Sequence, residues 1–192
     1  HWTWPGREGE VTPVFVYTNY PTAELFINGK SYGKQSKNNS SLKSRYRLMW
    51  MDAVYEPGEV KVVAYNKDGK AVAEKTVRTA GKPHHIELVS NRNELTADGK
   101  DLAYVTVKVV DKDGNLCPTD SRLIHFSVKG AGKFRAVANG DPTNLEQFHL
   151  PKMHAFHGML TAIVQAGEIA GDLVLTAKAS GVKTGTVHLQ AK

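Results

Sequence analysis

One cysteine, Cys117, stands in 192 residues, so no internal disulfide forms and any core must hold by burial alone. Long apolar runs are missing too. Nothing approaches the roughly 18–20 consecutive apolar residues of a membrane-spanning helix. No segment sustains a helical apolar period, which excludes a doubly wound sheet or an α/β barrel. The opening HWTWPGREGE has neither an initiator Met nor a basic-then-apolar leader, which points to a segment of a longer polypeptide and leaves its compartment unstated. Catalytic signatures are equally scarce, with no GxSxG, no phosphate-binding glycine loop and no HExxH.

What is present is a succession of short β-branched and aromatic runs separated by Gly, Pro, Asn and Asp. Hydrophobic residues make up 41% and charged residues 23%, ordinary values for a globular chain. Runs at 13–18 (PVFVYT) and 23–27 (AELFI) precede Asn28-Gly29, a pair suited to a two-residue hairpin turn because both positions take positive φ. A return strand follows at 30–34, then a polar loop and an apolar run at 46–50. Strands at 60–65 and 71–77 pair across Asn66 to Lys70. Further runs are expected at 86–89, 103–110, 123–128, 134–138, 158–165, 173–179 and 185–189, and only 140–156 resists. This spacing predicts an all-β fold of two tandem immunoglobulin-like β-sandwich domains. Thr79-Ala80-Gly81-Lys82-Pro83 lacks large apolar side chains, and Pro83 offers no amide donor, so the expected domains are residues 1–81 and 82–192.

The net charge of +6 divides into twelve basic against eight acidic residues in the first domain and thirteen against eleven in the second. Much of the first excess sits in 30–47 among Ser and Asn. A nucleic-acid groove would interleave such charges with stacking aromatics. Only Tyr32 and Tyr46 are available there, so a solvated surface is expected and no nucleic-acid or membrane partner.

Several clusters deserve weighing against plainer roles. Asp111-Lys112-Asp113-Gly114-Asn115 opens like a calcium loop, but Gly is fourth rather than sixth and Arg122 stands where a bidentate Glu belongs, so a tight turn is expected. His149, His154 and His157 have no established zinc spacing. Asp141 and Glu146 are the nearest approach to a glycosidase carboxylate pair, yet Asp before Pro suits a backbone cap better than an acid catalyst. The expectation is therefore no catalytic residue, no metal site and no cofactor. Trp50, in an apolar run with Leu48 and Met49, reads as core. Trp2, Trp4 and Tyr32 are the candidates for contact with carbohydrate or with a neighbouring domain, since a flat aromatic face serves either purpose.

At HWTWPGREGE, with VFVYTN (14–19), ELFINGKSYG (24–33) and YEPGEVKVVAY (55–65), the chain resembles the first C-terminal accessory domain of bacterial β-galactosidases of glycoside hydrolase family 2. LTADGKD (95–101), VTVKVVDKDG (105–114), ANGDP (138–142) and AFHG (155–158) resemble the immunoglobulin-like domain that follows it in those enzymes. The resemblance implies a parent with a jelly-roll domain, an immunoglobulin-like domain and a (β/α)8 barrel ahead of this segment. Both catalytic glutamates would lie on that barrel, so none falls here. It further implies that the chain scaffolds the barrel and shapes substrate access, that its partners are the preceding domains of the same polypeptide, and that the location is periplasmic or secreted. A carbohydrate-binding module using exposed Trp and Tyr, with oligo- or polysaccharide as partner, is the first alternative. A cell-surface immunoglobulin-like adhesion module is the second.

Overall fold

The computed structural model describes residues 1–192 and contains strands, turns and loops but no α-helix. The chain forms two compact units, His1–Thr79 and Ala80–Lys192. Ala80 packs on the core of the second, and the Gly81 N–H donates to Asp111 Oδ2 at 2.7 Å, so these two residues of the linker-like stretch lie with the second unit.

In the first unit the Asn28-Gly29 turn takes φ of 49° and 80°, the left-handed values that a right-twisted hairpin needs. It joins β2 (Thr22–Ile27) to β3 (Lys30–Ser36). On its other side β2 pairs with β5 (Glu59–Tyr65), which pairs with β6 (Ala71–Arg78), giving a four-stranded antiparallel sheet in the order β3-β2-β5-β6. Facing it is a two-stranded sheet of β1 (Val14–Val16) and β4 (Leu48–Trp50). Strand alternation decides what goes inside: Ala23, Leu25 and Ile27 point inward and are buried, while Thr22, Glu24 and Phe26 point out. Fully burying Leu25 or Ile27 contributes about 1.5–3 kcal/mol each. Both strands of the small sheet are shorter than the sequence runs, because β1 has only the three-residue β4 as partner and Pro13 brings no amide to a ladder.

The second unit is fuller. One sheet runs β11-β13-β9-β7, built from His85–Ser90 (β7), Leu102–Val110 (β9), Gly132–Ala138 (β11) and Met159–Ala166 (β13). The other runs β12-β10-β14-β15-β8, built from Glu94–Leu95 (β8), Leu123–Gly130 (β10), Lys152–His154 (β12), Gly171–Lys178 (β14) and Gly185–Ala191 (β15). Ala103, Val105, Val107 and Val109 of β9 face Leu173, Leu175 and Ala177 of β14 across an aliphatic core. The strand β8 pairs in parallel with β15 and had no signal in the sequence, since a parallel pair brings no local turn. The resistant stretch is mostly irregular and supplies only β12.

Candidate functional site

Between the two sheets of the first unit runs an open groove of about 520 Å³. Its floor follows from pairing: on β5 and β6 the inward-facing partners are Val60 with Val77, Val62 with Lys75, and Ala64 with Ala73. Lys75 and Ala73 are exposed although they face the sandwich interior, because the two-stranded sheet is too narrow to reach across edge strand β6. Val14 and Val16 of β1 form the opposite wall, and Trp2 and Trp4 close one end.

The two indoles have separate duties. Trp2 is buried, donates from Nε1 to the Glu56 carbonyl at 3.0 Å and meets the Tyr55 ring edge-on at 5.1 Å. Its own carbonyl accepts from Thr79 Oγ1 at 2.5 Å, which ties the first residues to the last of the unit. Trp4 remains 37% exposed and lies against the His1 ring at 4.2 Å, while its backbone N–H donates to the Tyr55 hydroxyl at 3.1 Å. Only Trp4 of this pair turns a face to solvent. Tyr32 is half-buried on β3, the edge strand opposite β6, with Lys30 Nζ 5.8 Å from its ring centroid. The fold thus brings Trp2 and Trp4 to one groove and leaves Tyr32 apart. Trp50 is buried in the core, its Nε1 donating to the Gly33 carbonyl at 3.0 Å. Sequence reasoning passed over Phe15 and Tyr17, which are 44% and 70% exposed. The alternation of Val14 and Val16 with Phe15 and Tyr17 was the signal that these rings point outward.

In the second unit the residues that resembled chemistry are engaged locally. Glu146 accepts from the His154 backbone N–H at 3.1 Å, and its Oε1 lies 3.0 Å from His154 Nδ1. Asp141 Oδ1 accepts from Thr143 N and Oγ1 at 2.8 and 2.7 Å. The Thr143 backbone bond, then the hydroxyl, and more weakly the His157 charge, hold its carboxyl below the usual range against the opposing effect of burial. His149, His154 and His157 are all exposed, and no three His, Cys, Asp or Glu side chains converge as a metal would need. His157 adopts a positive φ of 51°, ahead of Gly158 at 74°.

Asp111 is the best-bonded carboxylate of the chain. Burial pushes its pKa up, but donors from the Gly81 backbone, the Asn115 side chain and backbone and the Asp113 backbone outweigh that and bring it to about 2. Its loop therefore folds around a carboxylate whose oxygens accept from N–H donors of the same loop and of Gly81. Burial also pushes the Cys117 thiol up to about 11, so it is protonated and unreactive at neutral pH.

Residues 86–188 match the model of glycoside hydrolase family 2 C-terminal domain 5, and residues 9–73 match a domain of unknown function (DUF4982). Among curated proteins, the chain is 41% identical, over 100% of its length, to β-galactosidase BoGH2A of Bacteroides ovatus, and covers 22% of that protein. It is 32% identical to a putative β-glucuronidase of Formosa agariphila over 74% of this chain and 13% of that one. A solved glycosyl hydrolase family 2 member from Bacteroides cellulosilyticus superposes with a TM-score of 0.90 at 34% identity, covering 100% of this chain and 24% of that chain. The chain thus spans between 13% and 24% of the length of these relatives. With a family match over residues 86–188 and the same two-unit all-β fold in a solved relative, this chain belongs to the C-terminal domains of glycoside hydrolase family 2.

Proposed function

We propose that the chain is the non-catalytic accessory part of a β-galactosidase-type glycoside hydrolase, which packs beside the catalytic barrel, stabilises it and shapes the approach of substrate. The observation that carries this reading is the likeness to β-galactosidase BoGH2A over the whole chain but only 22% of that protein. The bonding of Asp141 and Glu146 within their own loop supports it, because a carboxylate committed to backbone and imidazole donors is a structural brace. The 32% identity to a putative β-glucuronidase favours a uronide-cleaving parent as a second reading. A periplasmic or secreted location belongs to the same proposal and rests on the family likeness.

The test has two arms. The isolated chain is assayed with chromogenic β-galactoside and β-glucuronide, and the longer polypeptide is melted with and without residues 1–192. No turnover by the chain alone, together with a lowered Tm on deletion, is the expected result. Hydrolysis by the pure chain, or an unchanged Tm, overturns the proposal. The chromogenic substrate cleaved by the longer polypeptide decides between galactoside and glucuronide.

A further inference from the structure

Next to the apolar groove, and sharing Tyr17 and Thr18 with it, lies a second and more polar hollow of about 400 Å³, completed by Asn19, Lys37 and Tyr46. Its volume falls in the range of small-ligand sites, roughly 300–1,000 Å³. Tyr17 and Tyr46 flank it at 70% and 67% exposure, an unusual way to leave two phenol rings. Neither hydroxyl has a hydrogen-bond partner in the chain, and neither does the Asn19 side-chain amide. Thr18 Oγ1 accepts from the Tyr20 N–H at 3.2 Å, which leaves its own proton free to donate. Lys37 is half-buried, and its ammonium spends one donor on the Thr18 carbonyl and keeps two.

The segment that brings Lys37 and Tyr46 to this hollow carries charge of one sign. Residues 30–47 hold six Lys and Arg and no Asp or Glu. Elsewhere some cations pair with carboxylates, as in Lys61 with Glu74, Arg78 with Glu59 and Arg122 with Asp120. Here Lys37, Arg45 and Arg47 are held by backbone carbonyls, while Lys34 lies across from Glu24 on β2. Arg45 donates from Nε and Nη2 to the Asn39 carbonyl at 3.0 and 2.8 Å, with its guanidinium 5.8 Å from the Tyr46 ring centroid. Arg47 donates to the Lys43 carbonyl at 2.9 Å, with its guanidinium 5.5 Å from the Phe15 ring. Carbonyls fix these side chains without cancelling their charge, so positive potential persists over a hollow walled by aromatic rings.

We propose that the hollow between Tyr17 and Tyr46 binds an anionic oligosaccharide, with the phenol rings stacking on sugar faces, Asn19 and Thr18 meeting hydroxyls, and Lys37 meeting a carboxylate or sulfate group. Aromatic faces recognise the apolar side of a pyranose, and the ammonium and amide between them supply the polar half of the contact. The small volume, with only two flanking rings, favours a short sugar over single-stranded nucleic acid, which calls for a charged track with successive stacking platforms. The proposal is independent of the packing role above, since it concerns binding by this chain alone.

The experiment is calorimetric titration of the 192-residue chain, at low and at moderate salt, with four probes: tetragalacturonate, a sulfated galactotetraose, neutral galactotetraose and a thymidine octanucleotide. The expected outcome is binding of one or both anionic sugars at least tenfold tighter than the neutral one. Which of the two binds tighter identifies carboxylate or sulfate as the recognised group. Tyr17→Ala and Tyr46→Ala should each weaken that binding about tenfold or more, Lys37→Gln should abolish the preference for charge, and Lys67→Gln should change nothing. Both tyrosines are exposed, so circular dichroism of the variants should match the parent chain. Four results overturn the proposal: no binding of either anionic sugar, equal binding of the neutral one, tighter binding of the octanucleotide, or binding indifferent to both tyrosine substitutions.

Discussion

Ala80–Lys192 buries twenty-one apolar residues between a four-stranded and a five-stranded sheet, whereas His1–Thr79 buries nine between a four-stranded sheet and a two-stranded one. The larger core is aliphatic and closes on itself with Val, Leu and Ala from facing strands. The smaller one depends on Trp2, Trp50 and Tyr55, which fill more volume per residue and anchor their polar ends to backbone groups. Large aromatics thus substitute for missing strands, and where they do not reach, along β6, the sandwich stays open. A small domain with an incomplete second sheet stays folded through a few wide side chains and presents apolar and aromatic surface as a consequence.

That contrast can be broken most directly at Trp50. Trp50→Ala removes a fully buried indole and its bond to Gly33, and should cost the first unit about 3–5 kcal/mol. Urea titration followed by near-ultraviolet circular dichroism should show an early transition for that unit, with the second unit's transition in place. A single shifted transition would mean the two cores are not separately responsible for their units.

The second unit should be most sensitive where its loops are tightest. At Gly158, with φ of 74°, an added Cβ would come 2.3 Å from the Cys117 carbonyl oxygen. Gly158→Ala should therefore cost about 2–3 kcal/mol through backbone strain and displacement of the Cys117 segment. The check is the same titration, and an unchanged midpoint would show that the loop has room to move.

Asp111 makes the second unit acid-sensitive. Its folded pKa of about 2 lies below the ordinary 3.8, so its carboxylate contributes stability that is complete above about pH 4 and is lost as pH falls through 2. The difference corresponds to about 2 kcal/mol. Asp111→Asn should lower stability at pH 7 by a similar amount and flatten the acid limb of a stability-against-pH curve. An unaltered acid limb would assign that sensitivity to other carboxylates.

The smallest effect belongs to the groove. Lys75 faces the sandwich interior yet stays exposed, so Lys75→Leu should alter the first unit's stability by no more than about 0.5 kcal/mol. A loss above about 1 kcal/mol would show that Lys75 holds a place the open groove does not suggest.

Much of this was legible beforehand. The Asn28-Gly29 hairpin, the β5–β6 pair across Asn66 to Lys70 and the long alternating runs of β9, β13 and β14 rest on local turn chemistry and period-two burial, which a sequence displays directly. The two-residue β8 and the shortening of β1 to Val14–Val16 were not legible, because each depends on a partner strand distant in sequence. The aromatic residues divide the same way. Composition marked Trp2, Trp4 and Tyr32 as large rings, but burial separated Trp2 from Trp4 and pairing order put Tyr32 at the far edge of the sheet. Tyr17 was passed over because every residue of its run from Val14 is apolar or aromatic, which hides the alternation that turns Phe15 and Tyr17 outward.

By itself, then, the sequence determined the all-β class, the run of turns and the family to which the chain is similar, all of which follow from local propensity and ordered motifs. Only the tertiary structure decided that Asp111 collects four donating groups, that Arg45 and Arg47 lie beside the exposed rings of Tyr46 and Phe15 with no ion pair to a carboxylate, and that β6 keeps an uncovered inner face. The reason is physical: strand alternation is written residue by residue, whereas exposure and charge compensation are set by which distant segments arrive to cover them.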